Sequence, residues 1–361
     1  MEEKKKLKFI FVHGLCGWGE YDLINHFMPY WGMRSGSLLK YLRKQGFECY
    51  ACSVSPTGSA WDRACDLYAQ LAGRRVDYGK VHSERCRHER YGKDFSKKPL
   101  IDDLEYSKLV LLGHSFGGAT ARLFSEILAN GDPAEREGTD PEDLSPFFLG
   151  GLGDCIHTIV TLSAPNSGST AYDMGMDKNF DAEAVEVPAK YEKIGNMVSK
   201  GTLPKFDQRD LSDYAFHDMF VDHAMELNAR ISTLPGTYYF AIPCSSSNLD
   251  EKGHYYPDPK ITEAMFMKHS IRMSVYTGVS EKGVVFDASW QETDGLVNTI
   301  SAHAPMGEPA LQLRRGEHPR TGIWYNLPVH RGDHMSLQGG QTIRHKIRLF
   351  YRHLLTMIEE L

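Results

Sequence analysis

Gly113-His-Ser115-Phe-Gly117 follows the apolar run Leu109-Val-Leu-Leu and opens a helical pattern. A serine on a tight strand-to-helix turn needs small residues two positions to either side so that the turn can close. Its hydroxyl then projects past the sheet edge, and the next amide points into the same space. The spacing marks Ser115 as a nucleophile for acyl transfer, with the Phe116 amide as one donor to the developing oxyanion. An ordinary strand-to-helix turn explains a serine but not glycine on both sides. Such a nucleophile needs a base, and the base needs a group to orient it. Sixteen histidines are too many for chain order alone to choose among. Thr293-Asp294-Gly-Leu-Val-Asn sets a carboxylate in a tight turn before an apolar run, and Gly332-Asp-His334-Met sets a histidine in a loop before the last helical pattern. In those roles His334 takes the serine proton while Asp294 fixes its tautomer. Asp333, adjacent to His334, is poorly placed to orient it.

These residues need a sheet to position them. Residues 9–12, 48–54, 108–112, 156–162 and 237–242 read as short buried strands. Helical patterns lie between them near 37–45, from Trp61 toward Gly73 with Ser59 as a cap, and from Ser115 to the stop at Asn130-Gly131. A last one carries Ile343, Ile347, Phe350, Leu354 and Ile358 on one side. Strands alternating with helices predict an α/β fold with a mostly parallel central sheet covered on both faces. His13-Gly14-Leu15 closes the first strand, where α/β-hydrolases place the other oxyanion donor, so the amides of Leu15 and Phe116 are the expected pair. Residues 80–98 break the rhythm with many Lys and Arg around His82, Cys86 and His88, and read as irregular. Residues 132–143 read as a solvated acidic loop, and 166–215 as polar and weakly periodic.

Composition bounds the alternatives. The 361 residues are 41% apolar and 24% charged, with a formal charge of −6. That mild acidity argues against a nucleic-acid partner. No run of about 18 uncharged apolar residues exists, so no membrane-spanning helix is expected. Seven cysteines, an odd number scattered over a long chain, do not make a disulfide framework. Met1-Glu-Glu-Lys-Lys-Lys reads as the lead-in to a strand and not as a targeting segment. The expectation is a cytoplasmic chain, or a secreted one if this is a processed mature form.

Longer runs then carry a family resemblance. Val12-His-Gly-Leu-Cys-Gly-Trp-Gly, Tyr30-Trp-Gly, Trp61-Asp-Arg-Ala-Cys, Tyr68-Ala-Gln-Leu, Val76-Asp-Tyr-Gly, Thr120-Ala-Arg, Thr237-Tyr-Tyr, Thr293-Asp-Gly-Leu-Val-Asn-Thr-Ile-Ser and Ile347-Arg-Leu-Phe-Tyr keep their order along the chain. The chain resembles the zinc-containing thermoalkalophilic bacterial lipases and their staphylococcal relatives, within the α/β-hydrolase superfamily. The resemblance implies one hydrolase domain over 1–361 with a zinc-binding insertion at 62–100 and a helical lid at 166–220. It implies a lipase or esterase that cleaves lipid or acyl esters through an acyl-enzyme on Ser115, with Asp294 and His334 completing the triad. Contact with a lipid interface through the lid is the expected partner interaction. A structural zinc is also implied, carried over to Asp62, His82, His88 and Asp218. Two imidazoles and two carboxylates make a neutral, closed tetrahedral set. Asp218 rests on spacing back from Leu227-Asn228; Asp210 and Asp222 compete with it, and Cys86 is a substitute ligand. The chain also departs from the pattern. Gly113 stands where the relatives place alanine, the lid segment is shorter, and Ser336 and Gln341 stand where their calcium ligands follow the catalytic histidine. The calcium site is therefore expected to be absent. Two other classes remain open: a zinc-dependent hydrolase using His82 and His88, and a catalytically silent hydrolase fold used for binding.

Overall fold

Strand β1, Leu7–Val12, alternates Phe9 and Phe11 against Ile10 and Val12, and all four side chains are buried. Successive side chains of a strand point to opposite faces, so burial of both sets requires cover on both sides of the sheet. The other strands of that sheet are β2 (Glu48–Ala51), β3 (Lys108–His114), β4 (Ile156–Leu162), β5 (Tyr238–Ile242), β6 (Ala310–Gln312) and β7 (Trp324–Asn326). They lie in the order β6-β7-β5-β4-β3-β1-β2, and every pairing is parallel. This computed structural model describes residues 6–202, 206–314, 316–340 and 342–361.

The helices are α1 (Leu38–Lys44), α2 (Ala60–Ala72), α3 (Lys80–Cys86), α4 (Gly117–Asn130), α5 (Pro133–Gly138), α6 (Thr170–Met176), α7 (Ala189–Thr202), α8 (Ala264–Met273) and α9 (Arg344–Glu359), and α1, α2, α4 and α9 cover the sheet. Ile10, Val12, Leu109 and Leu111 share a core with α2 and α4. Phe9, Phe11, Val110 and Leu112 share the other with α1 and α9. The α/β reading of the sequence holds, with a sheet in which all seven strands run parallel.

Two segments differ from expectation. The irregular reading of 80–98 gives way to α3 and a short strand at Tyr91–Asp94 that pairs with Arg75–Asp77. The acidic stretch after Asp132 is partly helical, with Asp132 accepting the Glu135 N–H as its cap. Both differences share one contact. Helix α3 starts at Gly79, which has no capping side chain, and the buried Glu135 carboxylate accepts the N–H groups of Val81 and His82 at 3.1 and 2.7 Å. An anion at a helix N-terminus satisfies orphan donors and the helix dipole together. The stretch 166–215, weakly periodic in sequence, carries α6 and α7, so it is helical as the resemblance implies.

Candidate active site and metal centre

The turn after β3 holds Ser115 at φ +55°, in the left-handed region that non-glycine residues rarely occupy. Its tightness explains both glycines. A Cβ on Gly117 would lie 2.3 Å from the Val12 carbonyl oxygen, and one on Gly113 would lie 2.4 Å from that of Gly117. Helix α4 therefore begins against the end of β1 with Phe116 as its first flanking residue. Strain of this kind persists only where the surroundings over-determine it, and it concentrates at functional sites.

Ser115 Oγ stands 2.9 Å from His334 Nε2, and His334 Nδ1 stands 2.9 Å from Asp294 Oδ2. The carboxylate can only accept, so Nδ1 carries the proton and Nε2 is left to accept from the serine hydroxyl. Asp294 is held in turn by the N–H groups of Leu296 and Val297 at 3.0 and 2.8 Å, and its backbone carbonyl accepts the His334 N–H. All three residues are buried. Leu15 follows Gly14, whose α-carbon faces the nucleophile so closely that a Cβ there would sit 2.7 Å from Ser115 Cβ.

A layer beneath these residues carried no assigned role in the sequence. His114 Nε2–H donates to the His334 carbonyl at 2.8 Å, so its Nδ1 accepts from the Tyr30 hydroxyl at 2.7 Å. The Tyr30 oxygen accepts the Gly14 N–H at 3.0 Å. Burial, with the neighbouring His334, pushes His114 down to about 3, which keeps it neutral and this tautomer intact. Arg63, fully buried, donates to the carbonyls of His13 and Ser55 and to the Thr120 hydroxyl. His13 itself is pushed down to about 3 by burial and by Arg63, so it stays neutral beside this turn. Tyr30 and Arg63 lie in runs that carried the resemblance, but no local pattern shows that they reach the oxyanion turn from 16 and 49 residues away.

A second cluster lies at α2 and α3. Asp62, His82, His88 and Asp213 bring one ligand atom each within 4.8 Å of one another, a group that could hold a metal ion. His82 Nε2 is 3.3 Å from Asp62 Oδ1 and 3.1 Å from Asp213 Oδ1; His88 Nε2 is 3.7 Å from Asp62 Oδ1 and 3.3 Å from Asp213 Oδ2. His88 Nδ1–H donates to the Glu89 carbonyl at 2.9 Å, turning the Nε2 lone pair inward. Asp62 Oδ1 and His88 Nε2 are buried without a hydrogen-bond partner among the described residues. Burial alone would push His82 down, but the carboxylates of Asp213 and Asp62 beside its Nε2 lift it to about 11. Burial likewise raises Asp62, whereas the hydrogen bond from His82 holds Asp213 low despite its burial. The donors are thus arranged around positive charge.

The fourth member corrects the sequence reading. Asp218 is not in the cluster, because its carboxylate accepts the N–H of Ala60 at 2.7 Å at the start of α2. Asp213 takes the place instead, delivered by a tight turn at Leu211–Asp213 and gripped by the Ser59 hydroxyl at 2.8 Å. The competitors are engaged elsewhere. Asp210 caps that turn, and Asp222 accepts from Ser280 and the Lys282 N–H. Cys86 Sγ lies 3.9 Å from His82 Nδ1, on the side of the ring away from the cluster.

The family model described as lipase-like, C-terminal domain matches residues 5–185, just over half of the chain. The chain belongs to this lipase-like family. Lipase 2 of Staphylococcus aureus is 31% identical over 363 aligned residues, covering 92% of this chain and 50% of the relative. The chain thus spans about half the length of the curated relatives it matches. EstA from Clostridium botulinum superposes with a TM-score of 0.83 at 26% identity, over 99% of this chain and 88% of its own. Staphylococcus hyicus lipase superposes with a TM-score of 0.78 at 26% identity, over 99% and 97%.

Within this lipase-like chain, the segment expected to form the lid holds α6 and α7. Helix α7 lies on α8, where Lys268 pairs with Glu192 at 2.9 Å and Arg272 with Glu183 and Glu192 at 3.3 and 3.5 Å. Its last carbonyl, that of Thr202, lies 3.7 Å from Cys16 Sγ, one residue beyond Leu15. Of the two positions read as lost calcium ligands, the Ser336 hydroxyl donates to Asp333, and Gln341 lies outside the described residues. Among the described residues no helix is long and apolar enough to cross a membrane.

Proposed function

We propose that this chain is a serine carboxylic-ester hydrolase of the lipase and esterase class. The observation that carries the reading is the unbroken Ser115–His334–Asp294 relay, with two 2.9 Å contacts, mounted on a left-handed strand-to-helix turn. In the proposed mechanism His334 Nε2 removes the Ser115 proton as Oγ attacks the ester carbonyl. Asp294 stabilises the imidazolium, and the amides of Leu15 and Phe116 hold the oxyanion. His334 then protonates the leaving alcohol. Water, deprotonated by the same histidine, releases the acid from the acyl-enzyme. Lipid esters are the proposed substrates, by likeness to the lipases above, with 166–220 serving as a lid over one domain spanning 1–361.

Zinc is the metal proposed for the second cluster. Two imidazole nitrogens and two carboxylates suit zinc, and each imidazole Nε2 lies 3.1 to 3.7 Å from an oxygen of both carboxylates. Four protein ligands leave no open position, which supports a structural cross-link over a catalytic centre. The two readings separate under two reagents. A serine-directed phosphonate is expected to abolish hydrolysis of p-nitrophenyl esters, while a chelator lowers Tm before it lowers the rate. Hydrolysis that survives the phosphonate, yet stops on chelation at unchanged Tm, would favour the zinc-dependent hydrolase instead.

A further inference from the structure

Two stretches that meet beside the candidate active site carry cations without acids. Residues 33–47 and 334–358 contain eight Lys and Arg and no Asp or Glu, whereas the rest of the chain sets 33 Lys and Arg against 47 Asp and Glu. Helices α1 and α9 bring the two stretches together. They share one core, and the Arg348 guanidinium lies over the Tyr41 ring at 4.8 Å. Arg34 and Arg43 pair with Glu263 and Glu20. Among the described residues the other six, Lys40, Lys44, Arg344, Lys346, Arg348 and Arg352, form no ion pair. A protein of net charge −6 therefore gathers six cations without an ion-pair partner on one face, with acids, Glu359 and Glu360, only at the far end of α9.

That face is not purely ionic, and its upper end adjoins the site. Ile343, at the start of α9, is 64% exposed among the cations. The Gly32 N–H donates to the Gln338 carbonyl at 2.7 Å, which joins the chain after Tyr30 to the loop that carries His334. Just before Tyr30 lies a tip at residues 23–28. Its base is closed by the Trp18 indole N–H, which donates to the Met28 carbonyl at 2.7 Å. Leu23 and Phe27 on this tip are 80% and 89% exposed. Exposed hydrocarbon beside unpaired cations matches the two layers of an anionic lipid surface: apolar side chains enter the acyl boundary, and Lys and Arg sit over the headgroups. A nucleic acid would engage the cations but leave the apolar tip without a role.

We propose that this face docks the chain on an anionic lipid surface, with the 23–28 tip inserted and the cations of α9 over the headgroups. The docking rests on the ester-hydrolase reading for its purpose, since it would set Ser115 beside its substrate, but the binding itself needs no catalysis. The test is co-sedimentation with vesicles of phosphatidylcholine alone or mixed with phosphatidylglycerol at low salt. Hydrolysis of a soluble short-chain p-nitrophenyl ester is measured on the same samples. The parent is expected to bind the mixed vesicles at least about tenfold more tightly. A combined Arg344→Glu, Lys346→Glu, Arg352→Glu variant loses that preference. A Leu23→Ser, Phe27→Ser variant binds both vesicles more weakly, and both variants keep the parental rate on the soluble ester. Equal binding of the parent to both vesicles would overturn the proposal. So would a charge variant that binds like the parent, or retention on heparin or duplex DNA with no binding to either vesicle. A parent that shows no vesicle preference yet hydrolyses the soluble ester defeats the docking alone; a parent that prefers the mixed vesicles but leaves the soluble ester intact defeats the ester-hydrolase reading alone.

Discussion

The Tyr30 hydroxyl joins the two halves of the candidate site, accepting from the Gly14 N–H and donating to His114, which in turn holds the His334 carbonyl. Tyr30→Phe leaves a buried N–H and an imidazole nitrogen without partners, at a cost of about 1–3 kcal/mol for each such group. The expected result is a lower Tm and a lower kcat with KM little changed, because the loss falls on how the base and the oxyanion turn are held. Steady-state kinetics beside a melting curve would check this; a parental kcat would remove the Tyr30–His114 link from the account. Gly14→Ala acts more directly. Its Cβ would press on Ser115 Cβ at 2.7 Å, and misplacing a reacting atom by about 1 Å can cost roughly 10²-fold in rate. A folded Gly14→Ala protein with unchanged turnover would show that the nucleophile lies elsewhere.

Helix α2 carries Asp62 toward the metal cluster and Arg63 toward the carbonyl of His13 in consecutive residues. The cluster and the turn at His13-Gly14 thus share one helix. Asp213→Asn is expected to abolish stoichiometric metal content measured by elemental analysis, while Asp218→Asn, whose amide oxygen can still accept the Ala60 N–H, keeps the metal. Loss of metal from the Asp218 variant instead would reinstate the ligand inferred from spacing. The elements differ in how far the sequence discloses them. The Ser115 turn is signalled by its own neighbours; Asp294 and His334 sit in recognisable turns, but the family resemblance is what singles them out among many candidates. Asp213 is signalled by neither, since it reaches His82 across 131 positions from a stretch that also holds Asp207, Asp210, Asp218 and Asp222. Helix α3 was hidden for the same kind of reason: its cap is Glu135, 53 residues on from His82, in a stretch whose charge reads as solvated. Periodicity reports buried stripes, and it is silent where a distant carboxylate completes an element.

At the scale of the molecule, the parallel sheet and its two cores were legible because β1 and β3 alternate two buried sets of side chains, and only two-sided cover satisfies both. Buried carboxyls set part of the stability profile. Burial raises Asp333 to about 6 and Asp173 to about 7, from an ordinary value of 3.8. Each holds its proton more tightly folded than unfolded, so its contribution to stability is complete below about pH 4 and is lost as pH rises through about 6 to 7. Asp333→Asn should flatten the Tm curve over that window relative to the parent, and parallel curves would rule the group out. The central claim is that Ser115 is the acylated nucleophile, and active-site labelling tests it most directly. A fluorophosphonate probe, followed by mass spectrometry of the labelled peptide, is expected to modify Ser115 once per chain as ester hydrolysis disappears. Ser115→Ala should take no label and lose about 10⁴-fold or more of the turnover. Label on another residue, or ester hydrolysis that persists at the parental rate in Ser115→Ala, would contradict it.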